Sequence, residues 1–211
     1  MTDADFWNKA AAKYALSPIR DMDAYEATLA RVRSYLGPTD RALEIGCGTG
    51  TTALKLAASA DHILATDISP AMIDIARDKA AAAGTDNVTF TPAPADTLPD
   101  GPYDAVMAFN LLHLLRDLDG TLAQIAARVR PGGLFLSKTT CLDGPGVPLR
   151  LRALISLGLP LMQLFGRAPY VNRLSIAALE EAVARAGFDI IETGDYPNRP
   201  SNRFIVARKP G

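Results

Sequence analysis

The sequence predicts a single α/β domain whose mostly parallel sheet is covered by helices on both faces. Three observations predict it. From Arg41 to Lys138, short apolar runs of strand composition alternate with stretches of helical composition. Glycine and proline punctuate the boundaries between them. The chain, at 211 residues, is long for one compact core but short for two, so 1–211 reads as one domain with an elaboration.

The elements follow in order. An N-terminal helical cap occupies about 1–37 and includes Tyr25 to Tyr35, before Gly37 and Pro38 break the pattern. Arg41 to Gly46 reads as a short buried strand, Thr51 to Ala60 as a helix, and His62 to Asp67 as a second strand ending in an acid. Ser69 then supplies an N-cap, Pro70 stands at the first helical position where its missing N–H costs nothing, and Gly84 is placed to end that helix. Val88 to Thr91 and Tyr103 to Phe109 read as strands, Leu122 to Val129 as a helix, and Leu134 to Lys138 as a fifth strand after a turn at Pro131 to Gly133. The alternation stops between Cys141 and Arg173, a candidate insertion at about 141–174. Ser175 to Ala186 resumes as a helix stopped by Gly187, and Asp189 to Thr193 with Arg203 to Arg208 close the sheet, giving seven strands.

Composition excludes several classes. Hydrophobic residues make up 48% and charged residues 21%, the balance of an ordinary globular protein. Because 22 basic and 23 acidic side chains are mixed along the chain, no long-range positive field forms and binding of nucleic acid through phosphates is disfavoured. Cys47 and Cys141 are too few for a disulfide framework or a zinc cluster, so no metal is expected and a cytoplasmic setting fits. The start of the chain lacks the basic residues and apolar run of a secretory signal. Ala153 to Phe165 is shorter than the roughly 20 residues a spanning helix needs and is interrupted by Gly158 and Pro160, so no stable membrane association is expected.

The residues that carry chemistry begin at Ala42-Leu-Glu-Ile-Gly-Cys-Gly-Thr-Gly50, with Asp67 at the end of the next strand. Glycines at 46, 48 and 50 permit a tight strand-to-helix turn and let a ligand lie against bare backbone. Asp67 offers two carboxylate oxygens to a ribose diol, which points to an adenosine-containing ligand. The bland alternative makes the glycines a simple turn and Asp67 a cap for the helix near Pro70. The spacing is G-x-G-x-G, with Thr51 following, rather than the G-x-G-x-x-G that seats a pyrophosphate. Glu44 would repel a pyrophosphate but suits the ammonium of a methionyl group and a nearby sulfonium, which favours S-adenosylmethionine.

With LEIGCGTG at 43–50, ATDISPAMIDIAR at 65–77, LPDGPYDAVMAFNLLHLLRD at 98–117 and RVRPGGLFLSKT at 128–139, the chain resembles the class I S-adenosylmethionine-dependent methyltransferases of small-molecule type. The resemblance covers roughly residues 6 to 208 and implies a Rossmann-like, doubly wound sheet. It implies that Glu44, Gly46 and Gly48 line the methionyl part, Asp67 holds the ribose and Ile68 packs on the adenine, with Cys47, Gly50 and Met72 also among the cofactor-binding residues. Asp96 would lie near the adenine amino group, with Ala95 also cofactor-binding, and Asn110 would follow the fourth strand at the sulfonium side. Many members carry Asp-Ala just before the Leu-Pro step, whereas Ala95-Asp96-Thr97 stands here, so the acid is displaced. The run from Phe6 to Tyr14 resembles the start of small-molecule members, in which a tyrosine on an N-terminal helix closes over the cofactor; Tyr14 is that tyrosine here, or else an aromatic anchor for its helix.

His113, four residues past the fourth strand, is the candidate general base, against a role in shaping its loop. The insertion is more apolar than a connection requires and reads as a lid over a partly apolar acceptor, against a helix capping the sheet edge or a peripheral membrane contact. The implied reaction is direct displacement of the methyl group onto a small-molecule acceptor by a monomer or homodimer. The competing readings are a non-catalytic regulatory protein that keeps the cofactor pocket and a nucleotide-dependent oxidoreductase.

Overall fold

A computed structural model of the chain describes residues 2–143, 149–198 and 201–211. The N-terminal region forms two helices. In α1 (Asp3–Ala15), the Thr2 hydroxyl accepts from the Asp5 N–H while the Asp5 carboxylate accepts from the Thr2 N–H, a reciprocal cap that satisfies two otherwise orphaned donors. In α2 (Met22–Arg33), Asp21 is the cap and Thr28, Leu29 and Val32 are buried.

The central elements are β1 (Arg41–Ile45), α3 (Thr51–Leu56), β2 (His62–Asp67), α4 (Pro70–Ala83), β3 (Val88–Pro92), β4 (Tyr103–Phe109), α5 (Leu118–Arg128) and β5 (Val129–Thr140). Then come α6 (Leu149–Leu164), α7 (Ile176–Arg185), β6 (Asp189–Asn198) and β7 (Ser201–Arg208). The predicted brackets of α4 hold: the Ser69 hydroxyl accepts from the Met72 N–H, and Gly84 ends the helix with φ 63°.

Several boundaries differ from expectation. The helix after β1 ends at Leu56 and tightens into a 3-10 turn over Ala57–Ser59. Helix α5 starts at Leu118 rather than Leu122, because the Asp117 carboxylate caps it by accepting from the Gly120 N–H. Val129 belongs to β5, which runs through Pro131 to Gly133 instead of starting after them. Pairing steps from Tyr103 with Val129 to Ala105 with Leu134, so those residues form an irregularity inside the strand rather than a turn between elements. Helix α6 continues through Gly158 and Pro160. Residues 144–148 of the predicted insertion lie outside the described residues. Among the described residues, no helix is long and apolar enough to cross a membrane.

The seven strands are ordered β3-β2-β1-β4-β5-β7-β6. The first five run parallel, and β7 is antiparallel to both of its neighbours. Alternation along each strand feeds two cores. Ala42, Ala65, Met107 and Leu136 face Leu29, Leu56 and Ile73 on one side, while Leu43, Val106 and Phe135 face Leu122, Ile125 and Leu179 on the other. The chain moves outward from β1 to β3 and then returns to place β4 on the other flank of β1. That reversal opens a crevice at the carboxyl ends of β1 and β4, where ligands bind in open α/β sheets.

Candidate cofactor and acceptor site

The loop after β1 turns through three left-handed glycines, Gly46, Gly48 and Gly50, at φ 67°, 54° and 73°. Side chains are disfavoured there by backbone sterics, and two of the positions are also crowded. A Cβ on Gly46 would lie 2.7 Å from Leu111, and one on Gly50 would lie 2.7 Å from both Ala76 and Phe90. Among the described residues outside the loop's own chain neighbours, a Cβ on Gly48 would meet just the Tyr14 ring, at 3.6 Å. Bare backbone at Gly50 therefore serves the protein's own packing, whereas at Gly48 it faces open space beneath Tyr14.

Asp67 braces this loop. One carboxylate oxygen accepts from the Gly48 N–H and the other from the Ser69 N–H, each at 2.9 Å. Burial raises its pKa against the pull of those two amides.

Glu44 is the group whose burial needs a partner. It is 2% exposed at the end of β1, and its Oε2 has no hydrogen-bond partner among the described residues. Burial first, and the charge of Asp67 second, push its pKa up to about 8.

Two cavities adjoin this loop and share Tyr14, Gly46, Gly48, Phe109 and Asn110 as walls. The larger, about 470 Å³, is walled by Glu44, Cys47, Thr49, Tyr25 and Lys79, and reaches Arg20, Asp21, Lys138 and Asn202 on its far side. The smaller, about 260 Å³, is walled by Asp67, Ile68, Met72, Ala95 and Asp96. Trp7, Leu111, Leu115 and Arg116 complete it. Tyr14, half exposed, stands between the two, and Trp7 meets it edge to face at 6.3 Å.

The structure thus brings together Tyr14, Glu44, Gly46, Cys47, Gly48, Asp67, Ile68, Met72, Ala95, Asp96 and Asn110, each lining one or both cavities. Gly50 lines neither. Asn110 adopts φ 55°, the left-handed region that asparagine tolerates better than most residues, and its N–H donates to the Lys138 carbonyl at 2.7 Å. His113 lies in a 3-10 turn over Leu112–Leu114 and lines neither cavity. Its Nδ1 is buried without a partner among the described residues, its carbonyl accepts from the Asn172 N–H, and burial lowers its pKa to about 4. The described residues of the insertion line neither cavity, but Tyr170 stacks under Arg116 on the rim of the smaller one, 4.5 Å from ring centre to guanidinium.

Sequence reasoning missed Trp7, Tyr25, Lys79 and Lys138. A signal for Trp7 existed, since Trp7, Ala11 and Tyr14 recur at i, i+4 and i+7 and so share a helix face. Lys138 also had one, being a charge at the end of the apolar run Leu134-Phe-Leu-Ser-Lys138.

Residues 43–135 match the family described as a methyltransferase domain. Over 97 residues the chain is 37% identical to demethylmenaquinone methyltransferase of Clavibacter sepedonicus, covering 44% of this chain and 38% of that protein. Malonyl-(acyl-carrier protein) O-methyltransferase of Serratia marcescens is 29% identical over 136 residues, covering 64% and 51%. The chain spans about a third to a half of the length of these curated relatives. Among solved structures, phosphoethanolamine N-methyltransferase 2 of Haemonchus contortus in complex with S-adenosyl-L-methionine has a TM-score of 0.78 at 16% identity, covering 100% of this chain and 60% of that one, a likeness of fold. The sheet order is that of a Rossmann-like fold, and the glycine loop lies inside the segment that matches the methyltransferase domain. In these features the chain is similar to the S-adenosylmethionine-dependent methyltransferases, with the domain match confined to residues 43–135.

Proposed function

We propose that the chain moves a methyl group from S-adenosylmethionine to a small, partly apolar acceptor. The observation that carries this reading is Glu44, a buried carboxylate with one unpartnered oxygen in the wall of a cavity. An ammonium group is the partner such an oxygen lacks, and a pyrophosphate would be repelled.

The residues present fit the cofactor. Glu44 would take the methionyl ammonium, and Asp67, already held by Gly48 and Ser69, would accept from the ribose diol. Ile68, Met72 and Trp7 offer the smaller cavity an apolar lining suited to a purine. When bound, S-adenosylmethionine supplies a methyl group already activated on a sulfonium. The protein then has to align the acceptor and exclude water, which Tyr14 and the two N-terminal helices are placed to do at the larger cavity. His113, outside both cavities, would shape its loop.

Calorimetry with S-adenosylhomocysteine tests the cofactor site. Asp67→Ala should weaken binding by about 1–3 kcal/mol, roughly fivefold to 150-fold, because a charged acceptor is lost. Unchanged affinity would remove the ribose assignment. Labelled S-adenosylmethionine incubated with a metabolite extract would identify the acceptor, and tight binding without any labelled product would favour a non-catalytic regulator instead.

A further inference from the structure

We infer that Lys138 grips an oxyanion on the methyl acceptor, so that the acceptors of this chain are small acids with an apolar body. The inference rests on the proposed cofactor reading, and it concerns the far end of the larger cavity.

Position separates Lys138 from the cofactor groups. In the sheet, Glu44 on β1 pairs beside Met107 on β4, which pairs beside Leu136 on β5. Neighbouring strands lie about 4.8 Å apart, so β5 stands about 10 Å across from the strand that carries Glu44. Lys138 is two residues beyond Leu136, on the same face and toward the carboxyl edge. Asn110 at the end of β4 stands between them, joined to the Lys138 backbone. A methionyl group on Glu44 would leave Lys138 facing whatever enters from the β5 and β7 side, where Asn202 also lines the cavity.

Lys138 is also under-partnered. Only 8% of it is exposed, yet its ammonium, with three donors to offer, reaches one neutral acceptor, the Thr28 hydroxyl at 3.1 Å. That hydroxyl donates onward to the Ala24 carbonyl. No carboxylate lies within ion-pair distance of Lys138 among the described residues. A buried cation without a counter-charge is costly, and an incoming anion would offset that cost. Burial accordingly lowers the lysine pKa, with Asp21 opposing.

The charges around it have other commitments. Glu44 is assigned to the ammonium of the cofactor, Asp21 caps α2 by accepting from the Ala24 N–H, and Lys79 donates to Thr49 and Thr51 beside the glycine loop. Arg20 also lines this side but is exposed, so Lys138 is left as the buried charge that selects the acceptor. Ile19, Tyr25 and Phe109 on the same walls provide the surface for an apolar body.

The test uses protein saturated with S-adenosylhomocysteine, titrated calorimetrically with benzoate against benzamide and with 4-nitrophenolate against 4-nitroaniline. At least one anion should bind about tenfold tighter than its neutral isostere, and whichever pair shows the preference identifies a carboxylate or an ionised hydroxyl as the handle. In Lys138→Met the preference should vanish while S-adenosylhomocysteine affinity stays within about twofold, which also reports that the variant is folded; Lys138→Arg should keep part of the preference. No preference in the wild-type protein, or a preference that survives Lys138→Met, overturns the inference. A loss of about tenfold in S-adenosylhomocysteine affinity on Lys138→Met, with Lys138→Arg restoring it, also overturns it by placing Lys138 on the cofactor carboxylate. Wild-type protein that does not bind S-adenosylhomocysteine at all would sink the cofactor reading itself.

Discussion

Burial makes both Glu44 and Asp67 harder to ionise, the charge of Asp67 adds to the cost at Glu44, and the two differ in how that cost is met. Asp67 has two backbone amides, whereas Glu44 has an oxygen with none. With its pKa raised from 4.5 to about 8, folded Glu44 keeps a proton that the unfolded chain has lost. Its contribution to stability is therefore fully present below about pH 4.5 and is lost as pH rises toward about 8. A cofactor ammonium reverses the preference by favouring the carboxylate. Between about pH 6 and 8, S-adenosylhomocysteine should bind more tightly as pH rises and should expel a proton, seen as a binding enthalpy that varies with the ionisation heat of the buffer. Glu44→Gln should flatten both effects; an affinity independent of pH in the wild-type protein would refute the role given to Glu44. Both acids were readable in the sequence because their placement is local: one lies two residues before a glycine loop and the other ends the next strand. Lys138 and Trp7 were not read, since their value depends on residues far along the chain.

Helix α1 is tied down at several points. The Asn8 side-chain oxygen accepts from the Ser69 hydroxyl at 2.6 Å and the Ala71 N–H at 3.2 Å, fastening the helix to the start of α4. Asp3 pairs with Arg116, a surface contact that contributes little by itself. This leaves Tyr14, near the end of the helix, poised over Gly48. Tyr14→Ala should speed S-adenosylhomocysteine release and weaken its binding about tenfold, while Tyr14→Phe should stay near wild type, because the ring rather than the hydroxyl covers the loop. Trp7 is the single tryptophan of the chain and lines the smaller cavity, so stopped-flow fluorescence can follow release directly. Equal release rates in all three proteins would leave Tyr14 a helix anchor only. Among the other elements, β2, β4 and α4 matched expectation because their signals are strand composition and helix caps. The start of α5 was missed because the cap, Asp117, stands five residues ahead of Leu122, where the apolar periodicity begins. The segment Pro131 to Gly133 was misread because a glycine pair says that the chain bends, and not whether the bend lies inside a strand.

Across the molecule, the two cavities draw walls from helices α1 to α5, five strands and the loops between them. A ligand there connects the N-terminal helices to the sheet and binds the folded state alone. At about 100 times its dissociation constant, S-adenosylhomocysteine should add about 2.7 kcal/mol and raise the melting temperature by about 5–10 °C for a chain of this size. A shift below about 1 °C in a thermal melt would contradict a single site in that crevice. The strand, glycine loop and acid that define the cofactor end were written in one short stretch of sequence, because a βαβ unit brings its own ends together. The acceptor end was not. Lys138 meets Thr28 across 110 positions and shares a cavity with Asn202 because β4 returns to the free flank of β1 and β7 closes against β5. Periodicity tells which side of its own strand a residue faces. Which strands become neighbours, and hence which charges end up facing one another, follows from the packing of the whole sheet.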